Sequence, residues 1–229
     1  GVTDMHKKDR LLIIGDGEFA QIAYEYFTVD SPYEVVGFSV ETPYLKRAEL
    51  FGLPVVALET VEKSYDPLTT KVFVAVTSTQ LNRVRARLYG MAKDKKYSFA
   101  TYISSRAFVW RTAKVGENCF IFENNVIQHG ASIGNDVILW SGNHVGHQTV
   151  IHDHCFVSSH CVLSGYCEIG ERSFLGVNCT FADHVKVGKD CLIGAGALIT
   201  KSTGDGLIYP GLATKPSSLG SLKYFGIKE

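Results

Sequence analysis

The chain has 229 residues, of which 45% are hydrophobic and 20% charged, enough for a sizeable core in one large domain or two ordinary ones. Lys plus Arg and Asp plus Glu number 23 each, so no net field draws the protein to nucleic acid or an anionic membrane, and a small molecule or another protein is the expected partner. No run reaches the roughly 18 apolar residues of a membrane span, and the opening GVTDMHKKDR has no signal-like apolar stretch, so a cytoplasmic location is expected.

Residues 1–102 alternate strand and helix patterns. RLLIIGDGEFAQIAYEYF reads as a buried strand over 11–14, a tight glycine turn, and a helix with Phe19, Ile22, Ala23 and Tyr26 on its apolar face. YEVVGFSV, LPVVAL and KVFVAV are three further strands, and TQLNRVRARLYGMA is a second helix. This alternation predicts a small parallel sheet with helices on its faces, an α/β Rossmann-like domain. GDGEFA follows a strand and opens a helix, the context in which backbone N–H groups hold phosphate. A nicotinamide dinucleotide would also want an acidic residue ending the second strand, where Ser39 stands, so redox chemistry is not expected.

From Ile103 the period becomes six. An aliphatic residue or Phe recurs at every sixth position through Ile199, a run whose chance occurrence is on the order of 10⁻⁸ if a third of positions qualify. The position four residues later is small or modest: Ala107, Ala113, Asn125, Ala131, Asn143, Thr149, Ser173, Ala197 and every cysteine of the chain. Three hexapeptides then make the three sides of a triangular coil, with the aliphatic residue inward. The expected fold over 103–205 is a left-handed parallel β-helix of about 5.7 coils and roughly 27 Å height, followed by a carboxy-terminal tail over 206–229. Bare solenoid faces need covering, so a homotrimer is expected.

The same phase accounts for the cysteines. Cys119, Cys155, Cys161, Cys167, Cys179 and Cys191 occupy the one position that wants a small buried side chain, so they read as packing residues. No C-x-x-C pair exists, and a disulfide framework would not share a phase, so neither zinc nor disulfides are expected.

Period 18 sets which residues stack. His129, His147, Gly165 and Asp183 share one column. Gly165 interrupts the side chains directly above His147 and exposes a backbone N–H, so a base and an oxyanion donor stand on one face, the parts an acyl transfer needs. The bland alternative is that Gly165 only accommodates a turn.

The hexapeptide ladder with VGHQTVIHDHCFVS, CEIGERSFLGVN and CLIGAGALITKS, preceded by IIGDGEFA, resembles the sugar-nucleotide N-acyltransferases of the bacillosamine and perosamine type and the related sialic acid O-acetyltransferases. The resemblance implies a trimer with acetyl-CoA in the groove between subunits, His147 as general base for a sugar amine, and Gly165 as the backbone donor to the thioester oxygen. It points to Gly176, Val177, Gly194 and Ala195 as coenzyme contacts, with Lys201 and Lys215 for its phosphates. In the amino-terminal domain it implies a nucleotide-sugar site with Gly15, Gly17, Glu18 and Phe19 near the diphosphate and sugar, Ser39 near the base, and Thr77 and Ser78 beyond the fourth strand. Two departures stand out. Gln148 replaces the acidic residue that often follows the histidine, and Phe156 falls where some relatives carry a second histidine near the acetyl group.

The reading that follows is an acetyl-CoA-dependent N-acetyltransferase acting on a nucleotide-linked amino sugar, a 4-amino-4,6-dideoxyhexose destined for a surface polysaccharide or glycan, with no metal. The alternatives are a sugar O-acetyltransferase of the sialic acid kind, or a non-catalytic or metal-binding solenoid in which His144, His152 or His154 of adjacent subunits converge.

Overall fold

The computed structural model describes residues 7–228. In chain order β1 spans Asp9–Ile14, α1 Glu18–Val29, β2 Tyr33–Val40, β3 Glu49–Leu50, β4 Leu53–Ala57, β5 Thr70–Val74 and α2 Arg83–Asp94. The strands make one sheet in the order β3-β4-β2-β1-β5, parallel except for the short β3–β4 hairpin, which the sequence reading did not contain. Residues 11–14 of β1 form an unbroken apolar run because both faces are covered there. Leu11 and Ile13 pack with Phe19, Ala23 and Phe27 of α1, whereas Leu12 and Ile14 pack with Leu88, Tyr89 and Ala92 of α2.

The second helix starts later than its apolar pattern suggests. Gln80, Leu81 and Asn82 are all left-handed, with φ of 54°, 50° and 66°, so the helix begins only at Arg83.

The six-residue period is fully realised. Seventeen two-residue strands follow one another from Tyr102–Ile103 to Leu198–Ile199, and the second residue of each is one of the periodic positions. Each pairs in parallel with strands 18 residues away, for example Val126 with His144 and Val145 with Leu163. The faces are three stacked sheets, and a further strand, Ile208–Tyr209, joins the first of them beside Leu192–Ile193. For reference, the first face contains the strands ending at Ile121 and Leu139, the second those ending at Val145 and Leu163, and the third those ending at Ile133 and Ile151.

Inside the prism Ile121, Leu139, Val145, Leu163 and Leu175 are fully buried, while Ile103 in the first coil is 38% exposed. At the corners the residue three after each inward position turns the chain in the left-handed conformation, fourteen times in succession from Asn118 to Gly196. Asn, Asp, Gly and His are over-represented there because they tolerate positive φ best. His154, His160 and His184 are three of these corner residues.

The faces differ in what covers them. Outward residues Tyr102, Phe120, Ile138 and Phe156 of the first face form a common core with Phe19, Phe27 and Phe73, so the chain's own amino-terminal domain covers that face. The second face presents Phe108, Val162 and Leu198, exposed by 52%, 39% and 67%. The third presents Lys114, Ser132, Glu168 and Lys186 and is polar.

A buried polar junction fixes the two domains together. Arg85 and Asp136 both have fully buried side chains and pair at 3.2 Å. The guanidinium also donates to the carbonyls of Thr77, Asp136, His154 and Cys155 and to Asn82 Oδ1. Asp136 in turn accepts from Asn118 Nδ2 at 2.8 Å and pairs with His154 Nδ1 at 2.7 Å, both one coil away. Asn118 Oδ1 accepts the N–H of Val74 at the end of β5, and Asn82 Nδ2 donates to the carbonyls of Arg172 and Ser173. Farther along, Asp190 lies between Arg172 and Arg83, and these guanidinium groups hold its carboxyl below the ordinary range. No helix among the described residues is long and apolar enough to cross a membrane.

Candidate active site

A cavity of about 890 Å³ opens at the carboxyl end of the parallel strands, where ligands of open α/β sheets bind. Six of the seven residues expected near a nucleotide sugar line it: Gly15, Gly17, Glu18, Phe19, Ser39 and Thr77, whereas Ser78 does not. Gly15 turns at φ 116° with its backbone against the Ala75 carbonyl, which puts the N-terminus of α1 at the cavity wall. Gly17 caps that helix, and a side chain there would meet nothing within 4 Å, so the space above it is open to a ligand. Ser39 is fully buried, with its hydroxyl donated to the Val56 carbonyl at 3.1 Å.

Three charged residues of the cavity, Asp16, Glu41 and Arg87, were not among the expected site residues. Glu41 stands two positions beyond Ser39, and both of its carboxylate oxygens accept from Arg87 of α2 at 2.9 Å. Its signal in the sequence is that it is the first acidic residue after β2, two positions beyond the place near the strand end that Ser39 holds. Trp140 also lines the cavity, and it comes from the solenoid rather than the amino-terminal domain.

His147 sits on the corner between the second and third faces. A β-carbon on Gly165 would come within 2.4 Å of the His147 Cε1 and 2.6 Å of its Nε2, so the imidazole lies directly against this glycine. Among the described residues the Gly165 N–H makes no hydrogen bond. The glycine is buried in the single chain, with the His147 ring packed on its Cα side. Tyr166 contacts the imidazole edge to face at a centroid distance of 5.2 Å and stacks on His184 on its other side at 4.9 Å. The Gln148 amide turns away and folds against Gly130 one coil below.

Val177 and Ala195 are exposed and stack on the corner between the first and second faces, joined through the Gly196 N–H to the Val177 carbonyl at 2.8 Å. Trp140 adjoins this corner. One chain therefore carries the nucleotide-sized cavity, Trp140, Val177 and Ala195 at one corner of the prism and the His147–Gly165 pair at the next, with the width of the second face between them.

The family model for bacterial transferase hexapeptides (six repeats) matches residues 112–145, 130–165 and 166–201. The acetyltransferase domain of PglB from Neisseria gonorrhoeae superposes with a TM-score of 0.80 at 26% identity, over 92% of this chain and 100% of that one. A histidine-to-asparagine mutant of perosamine N-acetyltransferase from Caulobacter crescentus, solved in complex with CoA and GDP-perosamine, gives 0.77 at 26% identity over 88% and 93%. The chain is an acyltransferase whose residues 112–201 carry the hexapeptide repeats of that family model. WeeI from Acinetobacter baumannii shares the fold, with a TM-score of 0.74 at 18% identity over 89% and 97% of the two chains. No curated protein matches the sequence significantly.

Several expected coenzyme residues have other duties in this acyltransferase. Phe156 is 7% exposed and stacks on Phe174 at 5.2 Å within the domain interface, so its ring does not face the His147 corner. Gly176 and Gly194 are small because the next coil passes over them; a β-carbon at either would meet a backbone nitrogen at 2.6 Å or 2.3 Å. Lys201 and Lys215 are exposed, and the former falls in the His147 column, two coils above Gly165 with Asp183 between them. The six cysteines are all free and buried. Burial pushes the Cys119 and Cys155 thiols up to about 12, so they are packing groups rather than nucleophiles. His152 pairs with Glu168 and His154 with Asp136, and among the described residues no cluster of three metal-ligating side chains occurs.

Proposed function

We propose that this acyltransferase moves the acetyl group of acetyl-CoA onto the amine of a nucleotide-linked amino sugar, a 4-amino-4,6-dideoxyhexose, in the cytoplasm on the way to a surface polysaccharide or glycan. The observation that carries the proposal is the division of parts just described: a nucleotide-sized cavity at one corner and a histidine packed on an unpaired backbone amide at the next. The Caulobacter neighbour, solved with CoA and GDP-perosamine, supports the same substrate pair.

A homotrimer completes the site. The exposed apolar residues Phe108, Val162 and Leu198 of the second face are suited to burial against other copies. If that face turns toward a threefold axis, its two flanking corners, from different copies, come side by side. The nucleotide cavity with Val177 and Ala195 of one subunit then faces His147 of the next. Lys201 and Lys215 are the proposed partners of the coenzyme phosphates.

In this arrangement His147 is the general base. The neutral sugar amine attacks the thioester carbonyl, the new C–N bond forms, and the imidazole takes the proton that nitrogen loses. The carbonyl oxygen becomes an oxyanion, stabilised by the Gly165 N–H. Collapse breaks the C–S bond, and the imidazolium returns its proton to the departing CoA thiolate. The products are the sugar amide and free CoA thiol.

The test is a panel of UDP-, dTDP- and GDP-linked amino sugars with acetyl-CoA, reading thiol release, followed by three variants on the accepted substrate. His147→Ala is expected to lower kcat by about 10²–10⁴-fold. His144→Ala, on the flat second face, and His129→Ala, one coil below and hydrogen-bonded to Thr112, should retain most turnover. A dead His144→Ala beside a fully active His147→Ala would refute the assignment of the base.

A further inference from the structure

Trp140 is the one solenoid residue among those lining the nucleotide cavity, and no step of the acyl transfer uses it. Its backbone is firmly held: its N–H donates to the Val157 carbonyl at 2.9 Å, and its own carbonyl accepts from Asn125 Nδ2 at 2.8 Å and Asn143 Nδ2 at 2.7 Å. The indole stacks on Phe122 with ring centroids 4.3 Å apart and planes within 10°. Phe19, at the amino end of α1 beside Gly17, backs it at 6.2 Å. One face of the indole is thus taken by Phe122, and part of its remaining surface lines the cavity.

Its position says what that surface meets. The N-terminus of α1 is the phosphate end of the cavity, and the corner carrying Val177 and Ala195 is the expected acetyl end. A sugar hung from the terminal phosphate must cross Trp140 to travel from one to the other. Pyranose rings have an apolar face of axial C–H groups, and a flat, electron-rich, immobilised indole is the side chain best suited to it, with little ordering entropy to lose.

We propose that Trp140 is the residue that recognises the glycosyl part of the substrate, its indole face packing against the C–H face of a hexose attached to the nucleoside diphosphate. The inference rests on the proposed nucleotide-sugar function and extends it by separating recognition of the sugar from recognition of the nucleotide. The nucleotide is held by the amino-terminal domain, and the sugar is selected by the solenoid.

The chain has two tryptophans, so Trp110→Phe leaves Trp140 as the only indole reporter. Fluorescence of that variant is followed while GDP, UDP and dTDP, then GDP-mannose, UDP-glucose and dTDP-glucose, are titrated. For whichever nucleotide binds, the sugar-bearing form should change the Trp140 emission more strongly than the bare diphosphate. In a second experiment binding to Trp140→Leu is measured by calorimetry. Its Kd for the sugar-bearing form should rise about tenfold with the Kd for the bare diphosphate essentially unchanged, and Trp140→Phe, which keeps a flat ring on Phe122, should recover most of the loss. Equal weakening of bare and sugar-bearing nucleotides, or no weakening of either, would overturn the role of Trp140 while leaving the nucleotide cavity intact. Binding of none of the six would overturn the cavity's assignment and Trp140 with it.

Discussion

The imidazole of His147 rests on Gly165 so closely that a β-carbon there would lie 2.4 Å from the ring. In the proposed mechanism the glycine has two duties, leaving room for the base and offering an N–H to the oxyanion. Gly165→Ala keeps the N–H but evicts the ring. Its kcat should fall by about 10²-fold or more, with the coil intact by circular dichroism. Normal turnover in Gly165→Ala would mean that the ring need not occupy this position for catalysis.

The domain junction should be as sensitive as the active site, for a different reason. Arg85 is the guanidinium paired with the buried Asp136, and it also satisfies four backbone carbonyls. Removing one partner leaves the other's charge buried and uncompensated, so Arg85→Met should cost about 3–5 kcal/mol in denaturant unfolding. Asp136→Asn should also be costly, because it leaves the guanidinium without its counter-charge. A loss below roughly 1 kcal/mol for Arg85→Met would show that the junction is solvated in solution.

How much of this was readable from the chain depends on the range of the interaction. The inward positions from Ile103 to Ile199 were legible because a solenoid repeats one local environment, so each interior residue faces the same demand. The corner phase was missed although Asn118, Asn124, Asp136, Asn178 and Asp190 announce it; the tolerance of these residues for positive φ was the unused signal. The junction was not legible at all. Arg85 and Asp136 stand 51 positions apart, and in the sequence Arg85 is one arginine among three within a surface-like helix. The same holds for the covered first face, whose outward Phe120 and Ile138 look no different from the exposed Phe108 until the amino-terminal domain is docked.

The cysteines give a pH-dependent expectation. Burial raises the Cys119 and Cys155 thiols from 9.0 to about 12, so at pH 8 the native protein holds them almost wholly protonated. Ellman's reagent should find close to no reactive thiol in the native state and all six in denaturant. Because the unfolded thiols ionise near 9 and the folded ones near 12, their contribution to stability is complete below pH 9 and declines as pH rises from 9 to 12. Rapid labelling of native protein at pH 8 would contradict the packing role. Cys161 and Cys179, with sulfurs 3.4 Å apart, are the pair to watch in that assay.

The most direct measurement of the central claim, that one subunit supplies the nucleotide cavity and its neighbour the base, is subunit complementation. Gly17 has φ of −81° and open space above it, so Gly17→Leu should fold normally while blocking the phosphate end of the cavity. His147→Ala removes the base and leaves the cavity. Each variant alone should be nearly inactive. Unfolded together at equal concentration and refolded, they should assemble mixed trimers in which about one site in four pairs an intact cavity with an intact base, and activity should return to that fraction of wild type. Recovery no greater than the sum of the two parents, in trimers shown to be mixed, would mean that His147 serves the cavity of its own chain and that the division of the site between subunits is wrong.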